Sequence, residues 1–322
     1  YNLEIGITTD IEATIKEEGE IVVSAKLFLD IVRRLPEEIV FIETDERMVT
    51  YIACGKVNYQ IVGMSSVEYP DLPSFEQTDR ITLNAKILRD MIRQTVYAVS
   101  ENTAKPIYTG SLYEIEDGVF KIIAIDGYRM AIRSENVDSE SKNRFVVPGK
   151  TQHEVLKLLT DDEENTEIII GQRHITFKIK NYRIISRLIE GTFIEYKSAI
   201  PKETKTEVVI NTRTIIDAVE RMSLLNNDRI QSPVRCIFSD DEIKLSCTSA
   251  VGRANDVISV PIIGESVEIG FNNRYLLDAL KNADTDEIKL ILNGSLTAMI
   301  VKPVKGDSYL SIVVPMRLAN EN

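Results

Sequence analysis

The feature that most constrains the fold of this chain is an internal repeat with a spacing of 124 residues. Three segments each begin with a small or helix-capping residue, followed by a cation two residues later and an acid four residues after that. They cover residues 24–30, 148–154 and 272–278. The cations, Lys26, Lys150 and Arg274, are 124 residues apart in both intervals. Each segment follows an apolar run, which predicts a strand that leads into a short helix. A period of this length indicates repeated domains, because solenoid repeats are much shorter.

A second pair of segments gives a similar period and predicts the domain boundaries. Residues 83–88 match residues 210–215 at an offset of 127, and in each an asparagine, Asn84 or Asn211, is placed to cap a helix. Glu-Tyr pairs repeat at the same offset in the Pro-containing connectors before these helices. We therefore predict three domains at residues 1–76, 77–202 and 203–322.

Short alternating apolar runs separated by Asp-Gly and Asn-Gly turn signals fill the rest of each repeat, for example at residues 120–125 and 287–292. Each complete repeat then has two helices and about eight strands. This predicts an α+β fold of three repeated domains, each with two helices packed on antiparallel sheets. On the same period, the first helix of the first domain would lie upstream of Tyr1. The first domain is therefore expected to be N-terminally incomplete by roughly 40–50 residues.

Positive charge is concentrated in the predicted helices, although the whole chain has a net charge of −12. The helices predicted at residues 25–35, 84–100, 149–159, 211–225 and 272–282 contain 12 Lys and Arg but only 6 Asp and Glu. Helical spacing places much of this charge opposite the apolar stripe. Such faces attract the phosphates of duplex DNA without regard to sequence, and no base-reading motif accompanies them. The cations predicted to face DNA are Lys26, Arg33, Lys86, Arg89, Arg93, Lys150, Arg213, Arg221 and Arg274.

Two other functions compete with DNA binding. One is a phosphate-handling enzyme, since Gly-Lys-Thr at residues 149–151 resembles the end of a phosphate-binding loop. That loop requires a glycine at position 144, where this chain has Arg144. The other is a protein-only scaffold with solvated helix faces, in which neutralising Lys86, Arg89 and Arg93 would leave DNA loading unchanged.

No combination of residues predicts a catalytic or metal site. The acidic run at 161–164 lacks the ligand spacing of a cation-binding loop, and neither His153 nor His174 lies near a Ser or Cys in a nucleophile motif. We therefore predict a protein that is not an enzyme and uses no metal or cofactor. No apolar run reaches the ~18 residues that span a bilayer, no signal-peptide pattern is present and the three cysteines form no CxxC pair. We expect a cytoplasmic protein without a membrane partner.

Several specific stretches together resemble one known family. They are IRQTVYAVS at 92–100, AIDGYRMA at 124–131, VVPGK at 146–150, IGFN at 269–272 with YLLD at 275–278, and VPMRL at 314–318. The chain resembles the bacterial DNA polymerase III beta subunit, or beta sliding clamp, over essentially all 322 residues. The resemblance implies the DNA clamp fold and a non-catalytic processivity factor. Such a protein encircles duplex DNA as a head-to-tail homodimeric ring with helices lining the hole.

The resemblance also implies partners and their binding sites. A clamp loader would open the ring, and the DNA polymerase III alpha subunit and other clamp-binding-motif proteins would share one peptide pocket between the second and third domains. The matching pocket positions are Lys105, Tyr108, Gly127, Tyr128, Arg129, Met130, Ile194, Ala199, Tyr275, Leu296, Val313, Val314, Pro315, Met316, Arg317 and Leu318. Apolar walls of this kind would bury the Leu or Phe anchors of a short peptide. Core packing is the alternative, above all for Val313 and Val314.

Two positions of the pocket depart from the family pattern. Lys105 stands where the family often has Arg, and Tyr128 stands where it often has His. The family also implies a ring-closing contact, in which Tyr59 and Ile61 of one protomer meet Leu224 and Leu225 of the partner subunit. These four residues are therefore the predicted dimer interface.

Overall fold

The computed structural model describes residues 1–74, 76–160, 164–226 and 232–318. Two compact units make up the chain: Tyr1–Leu3 with Asp10–Pro73, and Glu4–Thr9 with Ser74–Asn322. The described residues contain five α-helices, which are α1 (Ala25–Val32), α2 (Ala85–Val96), α3 (Gly149–Leu158), α4 (Thr212–Ser223) and α5 (Asn273–Lys281). The strands are β1 (Ile5–Thr9), β2 (Val40–Thr44), β3 (Val49–Cys54), β4 (Val57–Val62), β5 (Gln77–Asn84), β6 (Gly110–Glu116), β7 (Val119–Ile125), β8 (Arg129–Asn136), β9 (Asn143–Pro148), β10 (Asn165–Gly171), β11 (His174–Ile179), β12 (Tyr182–Arg187), β13 (Thr206–Asn211), β14 (Val234–Ser239), β15 (Glu242–Ser249), β16 (Gly252–Ser259), β17 (Ile262–Gly264), β18 (Val267–Phe271), β19 (Glu287–Leu292), β20 (Met299–Pro303) and β21 (Tyr309–Val313). The predicted α+β class is confirmed.

The helices begin within one residue of their predicted starts, mainly because the expected caps form. Ser24, Asn84, Asn211 and Asn272 each accept a hydrogen bond from a backbone N–H of the first turn. Helix α3 differs, since the residue before it is Pro148 and makes no side-chain cap. Local sequence therefore determines where the helices start.

Two of the predicted helix ends were too late by three or more residues. Helix α1 ends at Val32 instead of residue 35, because Pro36 disfavours helical geometry in the residue before it. Helix α2 ends at Val96 instead of residue 100, since the Ser100 N–H donates to the Tyr108 carbonyl at 2.7 Å and turns the chain away. This second contact is tertiary and has no signature in the local sequence.

The first unit has one helix and a small antiparallel sheet in the order β2-β3-β4. Ile31 of α1, Ile52 of β3 and Ile61 of β4 are buried together as its core. Strand β4 is an edge of this sheet. Its outer backbone N–H and C=O groups therefore have no strand partner among the described residues.

The second unit contains three antiparallel sheets. Their strand orders are β1-β12-β11-β10-β5, then β17-β13-β19-β20-β21-β8-β7-β6-β9, and finally β16-β15-β14-β18. Helices α2 and α3 pack against each other, and α4 and α5 do the same. Each of the two later repeats thus supplies one pair of helices.

The nine-stranded sheet joins the second and third repeats through antiparallel pairing of β8 with β21, which we call the seam. Arg129 is opposite Val313 in this ladder, and Arg133 is opposite Tyr309. Helix α2 packs on β8 and α5 packs on β21, so one face of the seam lies under helices. Because side chains alternate along a strand, Met130 points to the other face and joins an apolar cluster there.

Replacing Gly264 with alanine should lower the melting temperature more than the same change at Gly294. Both glycines have positive φ, +115° and +102°, so both variants carry the left-handed backbone penalty of about 1–2 kcal/mol. A Cβ on Gly264 would lie 1.9 Å from the Lys205 carbonyl oxygen, whereas Gly294 faces open space. We expect Gly264→Ala to melt at least ~4 °C below Gly294→Ala, as measured by circular dichroism. Equal melting temperatures would contradict the steric argument.

Candidate functional site

The C-terminal residues 314–318 leave the seam and cross to β18. The Val314 N–H donates to the Tyr128 carbonyl at 2.8 Å, and the Met316 N–H donates to the Gly270 carbonyl at 2.8 Å. Gly270 leaves room for Leu318, since a Cβ there would lie 2.6 Å from Leu318 Cδ2. The structure therefore holds this part of the predicted pocket beside the turn that presents Tyr128.

Four side chains form a column across the seam, which we call the aromatic column: Tyr128, Tyr275, Arg129 and Tyr97. The rings of Tyr128 and Tyr275 are stacked, with centroids 5.7 Å apart and 18° between their planes. The Arg129 guanidinium lies 4.6 Å from the Tyr275 ring centroid and 5.4 Å from that of Tyr97, within the range of cation–π attraction. Tyr128 is 60% exposed, whereas Arg129 is 6% exposed. The column thus runs from solvent into the protein.

Two carboxylates balance the buried charge of Arg129. Its Nε donates to Asp126 Oδ2 at 3.0 Å, and its Nη1 donates to Asp278 Oδ2. A buried guanidinium is tolerated when it is paired and hydrogen-bonded in this way. Arg129 was predicted to line the pocket, and the structure places its side chain on the helix face of the seam, on the opposite side from Met130.

Hydroxyl groups continue the network beneath the column. The Tyr97 hydroxyl is 3.1 Å from the Tyr309 hydroxyl and 2.8 Å from Ser311 Oγ. The Ser311 hydroxyl donates to the Met130 carbonyl at 3.3 Å. Burial raises the pKa of Tyr97 and of Tyr309, and burial together with the Asp126 charge raises the pKa of Tyr275. These phenols therefore remain protonated near neutral pH and act as hydrogen-bonding groups.

The opposite face of the seam is apolar and includes two predicted pocket residues, Tyr108 and Met130. Tyr108 meets Phe193 edge to face, with ring centroids 5.7 Å apart. Met130 is buried in the same cluster as Ile312. The Lys105 ammonium lies 6.0 Å from the Tyr108 ring centroid. An apolar wall with a cation at its margin suits a peptide with apolar anchors.

Other predicted pocket residues differ widely in exposure. Ile194, Val314 and Leu296 are 43%, 40% and 81% exposed, whereas Val313 is fully buried in the large core of the third repeat. Val313 therefore serves core packing, the alternative given above for it. Gly127 lies in the turn before β8 with φ of +93°. Ala199, Pro315 and Arg317 are not fully buried.

Sequence reasoning missed most members of the apolar cluster. Ile125, Phe193 and Ile312 are three examples that belong to it or pack against it. Strand alternation was the available signal for Ile312, because a residue next to Val313 must face the other side of β21. Phe193 carried no such signal, since it lies in a connector and not in a strand.

The predicted DNA-facing cations fall into two groups. Four are ion-paired with carboxylates: Arg93 with Asp90 and Asp284, Arg213 with Asp217, Arg221 with Asp256, and Arg274 with Glu101. Arg89 also has an interaction partner. Within the described residues, Lys26, Arg33, Lys86 and Lys150 have no carboxylate partner and are exposed. The full positive charge is thus presented by only part of the predicted set.

Three of the four predicted dimer residues, Tyr59, Ile61 and Leu225, lie on or beside strands at sheet edges. On β4, Tyr59 is 37% exposed, whereas Ile61 is 6% exposed and belongs to the core of the first unit. Leu224, which follows α4, is 82% exposed. Leu225 packs against the core and lies beside Gly252, the first residue of edge strand β16.

No group of three or more His, Cys, Asp or Glu residues suited to a metal ion occurs among the described residues. Residues 161–163 of the acidic run lie outside them. Burial, followed by the charges of Arg187 and Arg173, lowers the pKa of His174, which is typical of a neutral structural histidine. In the part of the chain that the structure describes, no helix is long and apolar enough to cross a membrane.

Three family models together match most of the chain. The DNA polymerase III beta subunit N-terminal, central and C-terminal domains match residues 1–73, 82–195 and 197–317. The beta sliding clamp of Halalkalibacterium halodurans is 34% identical over 98% of this chain and 84% of its own length. That of Bacillus subtilis is 32% identical over 94% of this chain and 82% of its own length.

Solved structures agree with the sequence matches. The crystal structure of the Bacillus subtilis DNA polymerase sliding clamp has a TM-score of 0.94 and 31% identity, and covers 99% of this chain and 87% of that chain. The fold is thus the α+β clamp fold with three domains. The chain belongs to the DNA polymerase III beta subunit family, the beta sliding clamps, which are non-catalytic. The N-terminal family model matches from residue 1, and the expected incompleteness of the first domain stays a prediction.

Replacing Gly270 with alanine should loosen the C-terminal segment without unfolding the protein. The added Cβ would meet the Leu318 side chain at 2.6 Å and the Met316 carbonyl oxygen at 3.0 Å. We expect hydrogen exchange of the Met316 amide to quicken by ~10-fold, because local opening exposes the hydrogen bond that it donates. Exchange in β13 serves as the internal control, and unchanged exchange at Met316 would contradict this account of Gly270.

Proposed function

We propose that this chain is a processivity factor that encircles duplex DNA as a head-to-tail homodimeric ring and tethers DNA polymerase III to it. Membership of the beta sliding clamp family across all three domains carries this proposal. The domains proposed are residues 1–76, 77–202 and 203–322. The proposed setting is the bacterial cytoplasm, with a clamp loader that opens the ring.

The strand pattern at the domain junctions supports a ring. Two junctions between repeats are made by antiparallel strand pairing. The last strand of the second repeat, β12, pairs with β1 of the first repeat, and the last strand of the third repeat, β21, pairs with β8 of the second repeat. In each case the partner is the strand that ends the first half of its repeat. The same rule applied to the first repeat would pair β4 with β16 of the partner subunit. Both strands are sheet edges, and an edge strand can be extended by another chain. Tyr59 and Leu224 are the exposed predicted residues at this contact.

The helix cations support weak contact with the DNA backbone. Lys86 and Lys150 can neutralise phosphates directly, whereas Arg93 and Arg213 would have to exchange a carboxylate for a phosphate. Encirclement replaces tight binding in such a protein, so exchangeable contacts suffice and permit sliding. Net negative charge elsewhere does not oppose this, because DNA responds to the face turned toward it.

The pocket at the seam supports tethering of other proteins. Tyr108 supplies a half-buried apolar ring that packs on the cluster containing Met130, Tyr128 supplies an exposed ring, and Lys105 a charge at the margin. The proposed occupants are short peptides of the DNA polymerase III alpha subunit and other clamp-binding-motif proteins. Tethering raises the effective concentration of the polymerase at the primer end, which gives processivity without chemistry.

Retention on circular DNA tests the topological mechanism. The chain, loaded with clamp loader and ATP onto a nicked circle, should co-elute with the DNA in gel filtration and should leave it once the circle is linearised. Loss after cutting is expected because the link to DNA is encirclement and not affinity. Equal retention on circle and linear DNA would point to ordinary binding and overturn the proposal.

Substitution of individual cations tests which of them face DNA. Lys86→Ala removes one phosphate contact. The plot of the logarithm of the DNA association constant against the logarithm of the salt concentration should therefore become less steep by about 1. Arg93→Ala should have a smaller effect, since Arg93 is already paired with Asp90 at 3.4 Å and Asp284 at 2.5 Å. Fluorescence anisotropy with labelled duplex over a KCl series measures both slopes.

Lys202→Ala is the matched control for this series, because Lys202 is exposed but lies in a connector outside the helices. Its slope should equal that of the unsubstituted chain. If Lys86→Ala behaves like Lys202→Ala, the helix cations do not contact DNA and the protein-only scaffold becomes the better description.

A further inference from the structure

Asp278 is linked to the pocket without being part of its apolar wall. It lies on α5 in the third repeat, and its carboxylate accepts from the Arg129 guanidinium, which comes from β8 in the second repeat. Arg129 lies against the Tyr275 ring, and Tyr275 is stacked on Tyr128. A chain of contacts therefore leads from Asp278 across the seam to an exposed side chain at the pocket rim.

We propose that Asp278 is a positioning residue for the peptide pocket: it fixes Arg129, Arg129 fixes Tyr275, and Tyr275 fixes the exposed ring of Tyr128. The inference rests on the proposed peptide pocket and deepens it. It assigns the orientation of Tyr128, and with it part of the affinity for a peptide, to a carboxylate in the neighbouring domain.

The burial of Arg129 makes the column depend on Asp278. Only 6% of Arg129 is exposed, so a lost carboxylate on its Nη1 side would leave a buried charge with a poorer partner. Without the Asp278 charge, the guanidinium keeps Asp126 at 3.0 Å from Nε and has no anion at Nη1. It then shifts toward Asp126 or toward solvent, and the Tyr275 ring loses the flat cation that supports it from behind.

Of the two carboxylates that pair with Arg129, Asp278 is the one that can be replaced without disturbing the turn before β8. Asp126 accepts from the backbone N–H groups of Tyr128 and Arg129 at 2.8 Å and 3.0 Å, so replacing it would disturb the turn itself. The side chain of Asp278 is bonded to Arg129, and its backbone carbonyl separately accepts from Asn282. A change at Asp278 therefore acts on the column and leaves the turn in place.

The stack matters because the Tyr128 backbone is already fixed. Its N–H donates to Asp126 and its carbonyl accepts from Val314, so the remaining freedom lies in the side chain. Stacking on Tyr275 removes that freedom before a peptide arrives. A ring held in its binding orientation loses less entropy on binding, which raises affinity.

The absence of tryptophan from the chain provides a direct reporter. In a Tyr128→Trp background, the single indole reports its own stacking through acrylamide quenching, and a fluorescein-labelled peptide copied from the clamp-binding segment of the alpha subunit reports affinity by anisotropy. Adding Asp278→Asn should weaken peptide binding by ~10-fold and increase quenching of the free protein, while the protein stays folded by circular dichroism. Asp278→Glu, which keeps the carboxylate, should restore most of the affinity.

Glu207→Gln is the matched control, because it breaks the Lys289–Glu207 pair in the same domain at similar exposure, 28% for Glu207 and 32% for Asp278. It should change neither affinity nor quenching. Unchanged affinity in Asp278→Asn, or an affinity loss without a change in quenching, would overturn the positioning role.

The pocket itself is tested separately by Tyr128→Ala and Ile194→Ala in the parent chain. If both bind the peptide normally, the pocket assignment fails, and the positioning role fails with it.

Discussion

The antiparallel pairing of β8 with β21 is the interaction on which the rest of the candidate site depends. Its register places Arg129 opposite Val313, and this decides which side chains lie under the helices and which join the apolar cluster. A slip of one residue would reverse every side chain on one strand. The guanidinium would then enter the apolar cluster, and Met130 would lie among the carboxylates. The register of this backbone pairing thus decides which side chains lie on each face of the candidate site.

The two faces of the seam solve different physical problems. The apolar face gains free energy by removing Met130, Ile312 and their neighbours from water. The helix face buries a guanidinium and several hydroxyl groups, which costs free energy unless each finds a partner. Arg129 has two carboxylates, and the Tyr97 hydroxyl has two oxygen neighbours. The apolar face therefore contributes stability, whereas the partners required on the polar face fix the positions of its side chains.

The sequence predicted the repeat, the helix starts and the fold class because these depend on local patterns: apolar periodicity, caps and turn residues. It could not predict which cations are neutralised. Arg93 pairs with Asp284, which is 191 residues away, and no helical pattern shows such a neighbour. Nor could it separate Ile61 from Tyr59, since both lie on the same face of β4 and only tertiary packing buries one of them. The orientation of Arg129 could not be predicted, because a resemblance transfers positions and not side-chain directions.

The shared sheet also bears on how the chain folds. Neither the second nor the third repeat can complete its sheet alone, because each leaves an edge that the other must cover. The partners in this ladder lie far apart in sequence, so their pairing requires the closure of a very long loop and forms slowly. Each repeat can collapse around its own helices earlier, since those contacts are more local. The seam is therefore among the last parts of the molecule to form, and a newly made chain acquires the surface proposed to bind partners only once its two later repeats have joined.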